Sequence, residues 1–357
     1  MTALGDIIAR RIAAEGPMSL AEFMGECLMH PAHGYYATRD PFGQAGDFTT
    51  APEISQMFGE MIGICLAQVW TDQCCPDPFV LAELGPGRGT LIADVLRTIR
   101  AVPSMAGAAR VQLVETSRAL RKRQAETLAA HEVTWHDNVA GLPDGPLYLV
   151  ANEFFDALPI RQFVRSGDGW AERQVGLRDG ALAFGLAPSA PIEALAGRLA
   201  DTSDGDIVEH CPALPAIAGE IAARIARYGG AAIVIDYGNR RSLGDTLQAL
   251  KDHERADPLA APGEADLTAH VDFEALALAF RNAGASVTAM TPQGVFLERL
   301  GVTERAQALA AQLSGPALDS HVAAHRRLTH PTEMGHLFQV IACHPIGSVP
   351  PPGLDPA

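Results

Sequence analysis

The chain has 357 residues, of which 48% are hydrophobic and 19% are charged, and this composition indicates a folded protein rather than a disordered one. Its formal net charge is −15, and it lacks the long basic stripes that phosphate binding needs, so no nucleic-acid partner is expected. The longest apolar runs, such as AAIVID at 231–236, are too short to cross a bilayer, so no membrane insertion is expected.

The N-terminus, the cysteines and the histidines bear on targeting and on metal binding. The first residues, MTALGDIIARRIAAEGPMSL, carry an acid at Asp6 and predict an amphipathic helix instead of a signal peptide, so the cytoplasm is the expected compartment. The six cysteines form no CxxC pair and predict reduced structural thiols. Histidine pairs at helical spacing lack the glutamate of HExxH, so no metal site is predicted.

The first predicted elements are helical. Helices are expected over 3–14, over 19–28 and from about 52 to 70. Ser19 and Glu22 form an S-x-x-E capping box at the start of the second helix. A long loop that carries glycine, proline and aromatic residues, 30–53, precedes the third helix.

The next part of the chain alternates strands with helices. Strands are predicted over 79–84, 110–115, 133–136, 146–151 and 231–236. The helices between them are predicted over 90–100, 117–130 and 212–227, with a helical turn after the fourth strand. This alternation predicts an α/β fold of Rossmann-like type, in which a mostly parallel sheet is doubly wound with right-handed crossovers.

Two segments depart from this rhythm. Residues 161–187 alternate polar and apolar residues around GDG and RDG, which predicts inserted antiparallel hairpins. Two further strands, within 284–301 and 334–345, are expected to close the sheet antiparallel. The predicted domains are a helical extension over 1–75, a main domain over 76–345 with insertions at about 161–210 and 240–272, and a frayed, disordered tail over 346–357.

The stretch FVLAELGPGRGTLIADV joins a strand to a helix through a glycine-rich turn. A dinucleotide-binding G-x-G-x-x-G would need glycine where Thr90 stands, and a P-loop would need a Lys-Ser/Thr pair. The spacing is instead E-x-G-x-G-x-G, formed by Glu83, Gly85, Gly87 and Gly89. A carboxylate at this position suits an ammonium group and would repel a pyrophosphate, so we predict S-adenosylmethionine as the ligand. The alternative is a turn that only closes a strand against a helix.

Polar residues also follow the next two strands. Glu115 ends the second strand, where an acid can accept hydrogen bonds from both ribose hydroxyls. Alternatively, it only neighbours Ser117, the predicted N-cap of the next helix. After the third strand, Asp137 or Asn138 is predicted to meet the adenine amino group, although Asp-Asn is also an ordinary turn.

The fourth strand leads into ANEFFDALP. Asn152, Glu153 and Asp156 are expected at the carboxyl edge of the sheet, where ligands of open α/β sheets bind. Two carboxylates and an amide there can orient a cationic or amine nucleophile beside a methyl donor. The alternative is that Asn152 or Asp156 caps a helix.

Several longer motifs carry a family resemblance: GDFTTAPEISQMFGE (46–60), LAELGPGRGTL (81–91), VETS (114–117), ANEFFDALP (151–159), VIDYG (234–238), DLTAHVDF (266–273) and QGVFLERLG (293–301). With them the chain resembles the MidA-type family of class I methyltransferases, which includes the mitochondrial assembly factor for respiratory complex I. The resemblance implies a seven-stranded methyltransferase core, S-adenosylmethionine as methyl donor, and symmetric dimethylation of an arginine in a complex I core subunit.

The resemblance also carries site residues onto this sequence. Glu83, Gly85, Gly87 and Gly89 match the cofactor turn, Glu115 the ribose acid, and Asn152, Glu153 and Asp156 the catalytic segment. The loop with Gly46, Asp47, Phe48, Thr49 and Glu53 matches a segment that we expect to cover the cofactor, and Glu209 is a further candidate carboxylate. The chain is expected to be a bacterial member of this family that acts in the cytoplasm. A homodimer is left open as its assembly.

The leading prediction is thus a protein-arginine methyltransferase. A cofactor-binding assembly chaperone without catalysis and a small-molecule methyltransferase are the alternatives. A nicotinamide dehydrogenase is less favoured, because Thr90 replaces its third glycine.

Overall fold

Apolar strands alternate with amphipathic helices along most of the chain. The computed structural model describes residues 2–38, 50–251 and 253–357. The helices in these ranges are α1 Ala3–Glu15, α2 Leu20–Met29, α3 Tyr35–Thr38, α4 Ala51–Ile54, α5 Gln56–Asp72, α6 Thr90–Ile99, α7 Met105–Ala108, α8 Arg118–Thr127, α9 Leu214–Tyr228, α10 Phe273–Asn282, α11 Gln293–Arg299, α12 Val302–Ala310, α13 Pro316–Thr329 and α14 Met334–Leu337. Two 3-10 helices span Val139–Gly141 and Glu193–Ala200.

The strands follow the same order along the chain. They are β1 Met18–Ser19, β2 Phe79–Leu84, β3 Ala109–Val114, β4 Val133–His136, β5 Leu147–Asn152, β6 Arg161–Ser166, β7 Gly169–Arg178, β8 Ala181–Leu186, β9 Ile207–His210, β10 Gly230–Asn239, β11 Gln248–Lys251, β12 Glu254–Ala256, β13 Asp266–Thr268, β14 Val271–Asp272, β15 Ser286–Val287, β16 Thr291–Pro292 and β17 Phe338–His344.

The central sheet has the order β15-β17-β10-β5-β2-β3-β4, with the short β14 and β16 paired at its rim. Strands β2, β3, β4, β5 and β10 are parallel, whereas β17 runs antiparallel to β10 and β15. The predicted α/β, Rossmann-like and mostly parallel sheet is therefore confirmed, and so is its antiparallel closing strand.

Helices cover both faces of this sheet, which is why its inner strands are continuously apolar. Phe79 and Leu81 of β2 pack in a core cluster with α5 and α6. Val80 and Ala82, which point the other way because side chains alternate along a strand, pack with α9 and α10. Both faces are buried, so a strand such as β2 needs no polar alternation.

The predicted helix from about 52 to 70 is interrupted. Ser55 is extended, with φ −161° and ψ 139°, and its side chain accepts a hydrogen bond from the amide of Met57. The residue thus caps a new helix, α5, and separates it from the short α4. The capping box at Ser19 and Glu22 is present as predicted.

Residues 161–210 form a second, smaller sheet. Strands β6, β7 and β8 form consecutive antiparallel hairpins, as the alternation over 161–187 predicts. Strand β9 pairs with β6, and the N-terminal β1 pairs with β7. A third sheet, with the order β12-β11-β13, lies within 248–268, where the sequence pattern predicted only an insertion.

The prediction of a frayed tail is wrong. Leu354 is only 7% exposed, the carbonyl of Pro352 accepts a hydrogen bond from the Cys65 thiol, and Asp355 pairs with Arg299 at 2.8 Å. A proline-rich segment cannot form a ladder of hydrogen bonds, but it can still bury apolar rings against a preformed surface. In the described ranges of the chain, no helix combines the length and apolar character that a membrane span requires.

Candidate active site

A cavity of about 330 Å³ opens at the carboxyl edge of the central sheet, where β2, β5 and β10 end. Because β17 runs antiparallel, its first residue, Phe338, lies at the same edge and pairs with Tyr237. The lining is rich in acids: Glu53, Glu83, Glu153, Asp156 and Asp266. Such a cavity suits a cationic ligand.

The glycine turn has the backbone that its sequence predicts. Gly85, Gly87 and Gly89 have φ values of 56°, 53° and 81°, a region that favours glycine. Gly85 and Gly87 line the cavity. Gly89 lies at the N-cap of α6, where a Cβ would come 3.6 Å from Gln124 of α8. The structure therefore places two of the glycines beside the ligand space and the third between helices.

Glu83 lies where β2 enters the turn. Its side chain is 3% exposed, lines the cavity, and has an Oε2 atom without a hydrogen-bond partner in the described part of the chain. Burial raises the pKa of Glu83 to about 8, against the opposing effect of the Ile92 backbone amide. A buried carboxylate oxygen with no donor is costly, and an ammonium group would satisfy it.

Glu115 is connected to the glycine turn through the side chain of Gln124. Its carboxylate accepts hydrogen bonds from the Ser117 amide at 2.7 Å and from Gln124 Nε2 at 3.2 Å, and it is not among the residues that line the cavity. The same Gln124 nitrogen donates to the Gly87 carbonyl at 2.8 Å. Gln124, which the sequence analysis missed, thus ties Glu115 to the cofactor turn. The one sequence feature that could have pointed to Gln124 is its polar, uncharged side chain directly after the basic run of helix α8.

Asp137 and Asn138 lie away from the cavity. Asp137 pairs with Arg121 at 2.5 Å, and its side chain is 80% exposed. Asn138 accepts a hydrogen bond from the Gly141 amide and caps a 3-10 helix. Their geometry matches the ordinary-turn interpretation, so the predicted contact with adenine has no support in this arrangement.

The segment after β5 forms an open turn instead of the predicted helical turn. Glu153 has a φ of 52°, which is uncommon for a residue with a side chain. Asp236, which is fully buried on β10, holds this turn: its Oδ2 accepts the amides of Phe154, Phe155 and Asp156 at 3.2, 2.9 and 3.3 Å. The alternative that Asn152 or Asp156 caps a helix is therefore wrong.

Glu153 and Asp156 face the cavity together with Asn152. Burial, reinforced by the charge of Asp156, raises the pKa of Glu153 to about 8, although Asn152 and the Ala51 amide donate hydrogen bonds to its Oε1 at 3.0 and 3.3 Å. Burial also raises the pKa of Asp156 to about 6, and its Oδ1 has no hydrogen-bond partner in the described ranges. A cation bound beside them would therefore stabilise the ionised form of both carboxylates.

The remaining predicted residues divide into two groups. Glu53 lines the cavity and accepts a hydrogen bond from Thr90 at 2.5 Å. The predicted cover residues Asp47, Phe48 and Thr49 lie outside the described residues. Glu209 is wrong as a carboxylate of this cavity: it lies on β9 of the second sheet, where Gln162 and the Thr246 amide donate to it at 2.7 and 2.9 Å.

Among the lining residues that the sequence analysis did not single out are Tyr36, Asp266 and Tyr237. The Tyr36 hydroxyl donates to Asp266 Oδ1 at 3.0 Å, which joins the N-terminal extension to the third sheet. Tyr237, the third of them, follows Asp236 in β10. Asp266 and Tyr237 lie in the motifs DLTAHVDF and VIDYG, which carried the resemblance without an assigned role.

Comparison with known proteins identifies this arrangement. A family profile for S-adenosyl-L-methionine-dependent methyltransferases matches residues 61–291. The human mitochondrial protein arginine methyltransferase NDUFAF7 (Homo sapiens) is 37% identical over 94% of this chain and 82% of its own length. The Danio rerio protein of the same name is 35% identical over 93% of this chain and 84% of its own.

A crystal structure of a Burkholderia thailandensis protein, bound to S-adenosylhomocysteine, is similar to this chain over nearly its whole length. The two have a TM-score of 0.83 and 31% sequence identity, and the match covers 98% of this chain and 94% of the Burkholderia chain. The chain belongs to the MidA-type family of class I methyltransferases. Its cofactor is S-adenosylmethionine, so the predicted donor is confirmed and the dehydrogenase alternative is wrong.

The residues of this MidA-type methyltransferase fit that cofactor. Glu83 has a buried oxygen without a donor, which the methionine ammonium would supply, and the positive φ angles of Gly85 and Gly87 bring backbone close to the ligand space. When bound, S-adenosylmethionine supplies an electrophilic methyl group on a positively charged sulfur. The roles of the individual side chains remain predictions.

The assignment of the cofactor predicts which ligands the purified protein binds. The purified protein should bind S-adenosylmethionine and S-adenosylhomocysteine but not NAD, because Thr90 stands where the third glycine of a dinucleotide-binding turn would lie. Titration calorimetry with the three ligands checks this expectation. Tight binding of NAD would overturn the assignment of the turn.

Asp236 should act as a positioning residue for the turn that carries Glu153. Asp236→Asn keeps the side-chain size but puts an amide, which can turn its NH2 group toward the turn, in place of the carboxyl oxygen that accepts three amides. We expect methyl transfer to fall about tenfold, about 1.4 kcal/mol, with unchanged affinity for S-adenosylhomocysteine. Asp94→Asn, which alters a buried acid of α6 outside the cavity, is the control for a general loss of stability. Equal rates in the two variants would contradict the positioning role.

Proposed function

We propose that this enzyme methylates arginine in a protein, and that it forms symmetric dimethylarginine in a core subunit of respiratory complex I. The observation that carries the proposal is the pair of buried acids, Glu153 and Asp156, in the cofactor cavity. The relatives named as protein arginine methyltransferases, at 33–37% identity over 93–94% of this chain, support the same substrate class.

The chemistry of arginine fits these two acids. A guanidinium stays protonated in water at neutral pH, and its planar fork of N–H donors matches carboxylates. Hydrogen bonds to Glu153 and Asp156 would hold one side of the guanidinium and turn a terminal nitrogen toward the donor methyl group. Because charge-assisted hydrogen bonds are stronger in a dry cavity, the acids both orient the nucleophile and draw charge away from it.

The same two acids also provide an acceptor for the proton that the attacking nitrogen loses. Each transfer forms one N–C bond while the S–C bond breaks, and the attacking nitrogen must lose a proton. Asp156, whose pKa burial raises to about 6, is placed to accept that proton near neutral pH. Glu153, with a pKa of about 8 in the free cavity, becomes ionised when a guanidinium binds beside it.

Methyl transfer to cell proteins tests the proposal. Proteins from a strain that lacks this enzyme would be incubated with the purified protein and S-adenosylmethionine labelled in its methyl group, then hydrolysed to amino acids. We expect label in symmetric dimethylarginine, and peptide masses of complex I from the same strain should lack two methyl groups on one arginine. Label that appears only in small molecules would favour the small-molecule alternative.

Activity and chaperoning can be separated in cells. If catalysis is the physiological role, a Glu153→Gln protein that still binds the cofactor should fail to restore complex I in the deletion strain. Restored complex I would favour the assembly chaperone. We keep the bacterial cytoplasm as the proposed compartment and a homodimer as the proposed assembly, which cell fractionation and light scattering can check.

A further inference from the structure

A second cavity lies beside the active site, between α11 and α14. This groove has a volume of about 450 Å³, and Pro292, Gly294, Val295, Pro331, Gly335 and His336 line it together with Thr329 and two rim charges, Glu298 and Arg299. It is open to solvent and is distinct from the cofactor cavity.

Consecutive residues at the end of α14 and the start of β17 line the groove and the active-site cavity. Gly335 and His336 line the groove, whereas the next two residues, Leu337 and Phe338, line the cofactor cavity. The ring of Phe338 packs edge-on against Tyr237, 5.5 Å between centroids, on the side of the cavity where β10 and β17 meet.

An exposed apolar side chain lines each of the two spaces, Leu337 the cofactor cavity and Val295 the groove. Leu337 is 51% exposed and Val295 is 43% exposed. The rim charges are already engaged: Arg299 pairs with Asp355 at 2.8 Å, and the Thr303 hydroxyl donates to Glu298 at 2.7 Å. A ligand in the groove would therefore meet apolar side chains rather than unpaired charges.

The floor of the groove is rigid. A Cβ on Gly294 or on Gly335 would come 2.3 or 2.0 Å from the Thr329 carbonyl oxygen, so three backbone segments pack without room for a side chain. The buried Gln293 also donates to the Leu328 carbonyl at 2.9 Å. A preformed groove binds a flexible ligand with less loss of entropy than one that must be built.

A polypeptide substrate has the dimensions to use both spaces. An extended chain advances about 3.3 Å per residue, so residues a few positions from the one in the cavity would reach past Leu337 to the groove. We propose that the groove between α11 and α14 binds an apolar side chain of the substrate polypeptide next to the methylated residue. This inference rests on the proposed function, because it requires a polypeptide substrate.

Substitution of Val295 tests the groove. Val295→Asp places a charge in it, and Val322→Asp is the matched control, because Val322 is 57% exposed on α13 and does not line the groove. The probe is the protein extract of the deletion strain, diluted in series. We expect the apparent KM for extract protein to rise about tenfold in Val295→Asp with unchanged kcat and cofactor affinity, and Val295→Leu to behave like the unsubstituted enzyme.

The outcomes separate the two proposals. If the unsubstituted enzyme forms no methylarginine, the proposed function fails and the groove has no polypeptide to bind. If it does form methylarginine, but Val295→Asp matches Val322→Asp in apparent KM, the groove proposal alone is overturned. A mass by light scattering that falls in Val295→Asp only would make the groove an interface between two copies of this chain and would likewise overturn it.

Discussion

Glu153→Gln should lower the rate of methyl transfer about a hundredfold or more, which corresponds to about 3 kcal/mol of transition-state stabilisation. The change keeps the size of the side chain but removes the charge that would pair with the substrate cation. Loss of one partner from a buried charge pair is costly, because the other charge stays desolvated without compensation. Affinity for S-adenosylhomocysteine should barely change, because Glu153 follows β5 and not the glycine turn. Single-turnover assays and calorimetry measure the two quantities.

The pH dependence provides a second readout for the same residue. The pKa of Glu153 is raised to about 8 in the free enzyme, so the fraction with an ionised Glu153 grows as pH rises toward that value. kcat/KM of the unsubstituted enzyme should therefore increase with pH and level off above about 8, since kcat/KM reports the free enzyme. In Glu153→Gln this rise should disappear.

A matched control guards against a structural explanation. Glu209→Gln makes the same change at another buried glutamate, 5% exposed, which lies in the second sheet away from the cavity. It should retain the rate and the pH profile of the unsubstituted enzyme. Asp156→Asn should show a smaller loss than Glu153→Gln. Unsubstituted rates in both Glu153→Gln and Asp156→Asn would move the catalytic carboxylates elsewhere, with Glu53 and Asp266 the next candidates.

Gly87→Val should abolish most cofactor binding while the fold persists. Gly87 has a φ of 53°, a conformation that a β-branched residue strongly disfavours, and its backbone lines the cavity. Strain of this kind costs on the order of 1–3 kcal/mol, and the added methyl groups also occupy ligand space. We expect the dissociation constant for S-adenosylhomocysteine to rise at least about tenfold in calorimetry.

The control for this variant is Gly185→Val. Gly185 lies in β8, has no heavy atom within 4 Å of its ideal Cβ, and is remote from the cavity, and valine is well tolerated in strands. It should bind the cofactor normally. Normal binding by Gly87→Val as well would place the cofactor away from the glycine turn.

Much of the architecture could be predicted because its causes are local. The continuous apolar run of β2 marks a strand buried on both faces, and its predicted bounds, 79–84, agree with the structure. Glu83 lies at the end of β2 and Glu153 comes directly after β5. Because parallel strands end at one edge of a sheet, the pattern predicted that the two acids lie close together. The break at Ser55 was missed because a serine in a helical pattern can either continue a helix or cap a new one.

Pairing between distant segments is what the sequence could not supply. Asp236 lies 82 positions from the Phe154 amide that it accepts, and the Tyr36 hydroxyl reaches Asp266 across 230 positions. Glu209 looked equivalent to the other acids, yet the pairing of β9 with β6 carried it into another sheet.

The sequence by itself determined the alternation of strands and helices, the glycine turn and the acids at the ends of β2 and β5, since these depend on periodicity and on backbone angles within a few residues. Only the tertiary structure decided which polar groups complete the cavity, how the turn at Glu153 is held, and that the last residues pack against the domain. A buried carboxylate or an apolar tail is stable only where distant segments supply its hydrogen bonds or its contacts, and no local pattern encodes which segments those are.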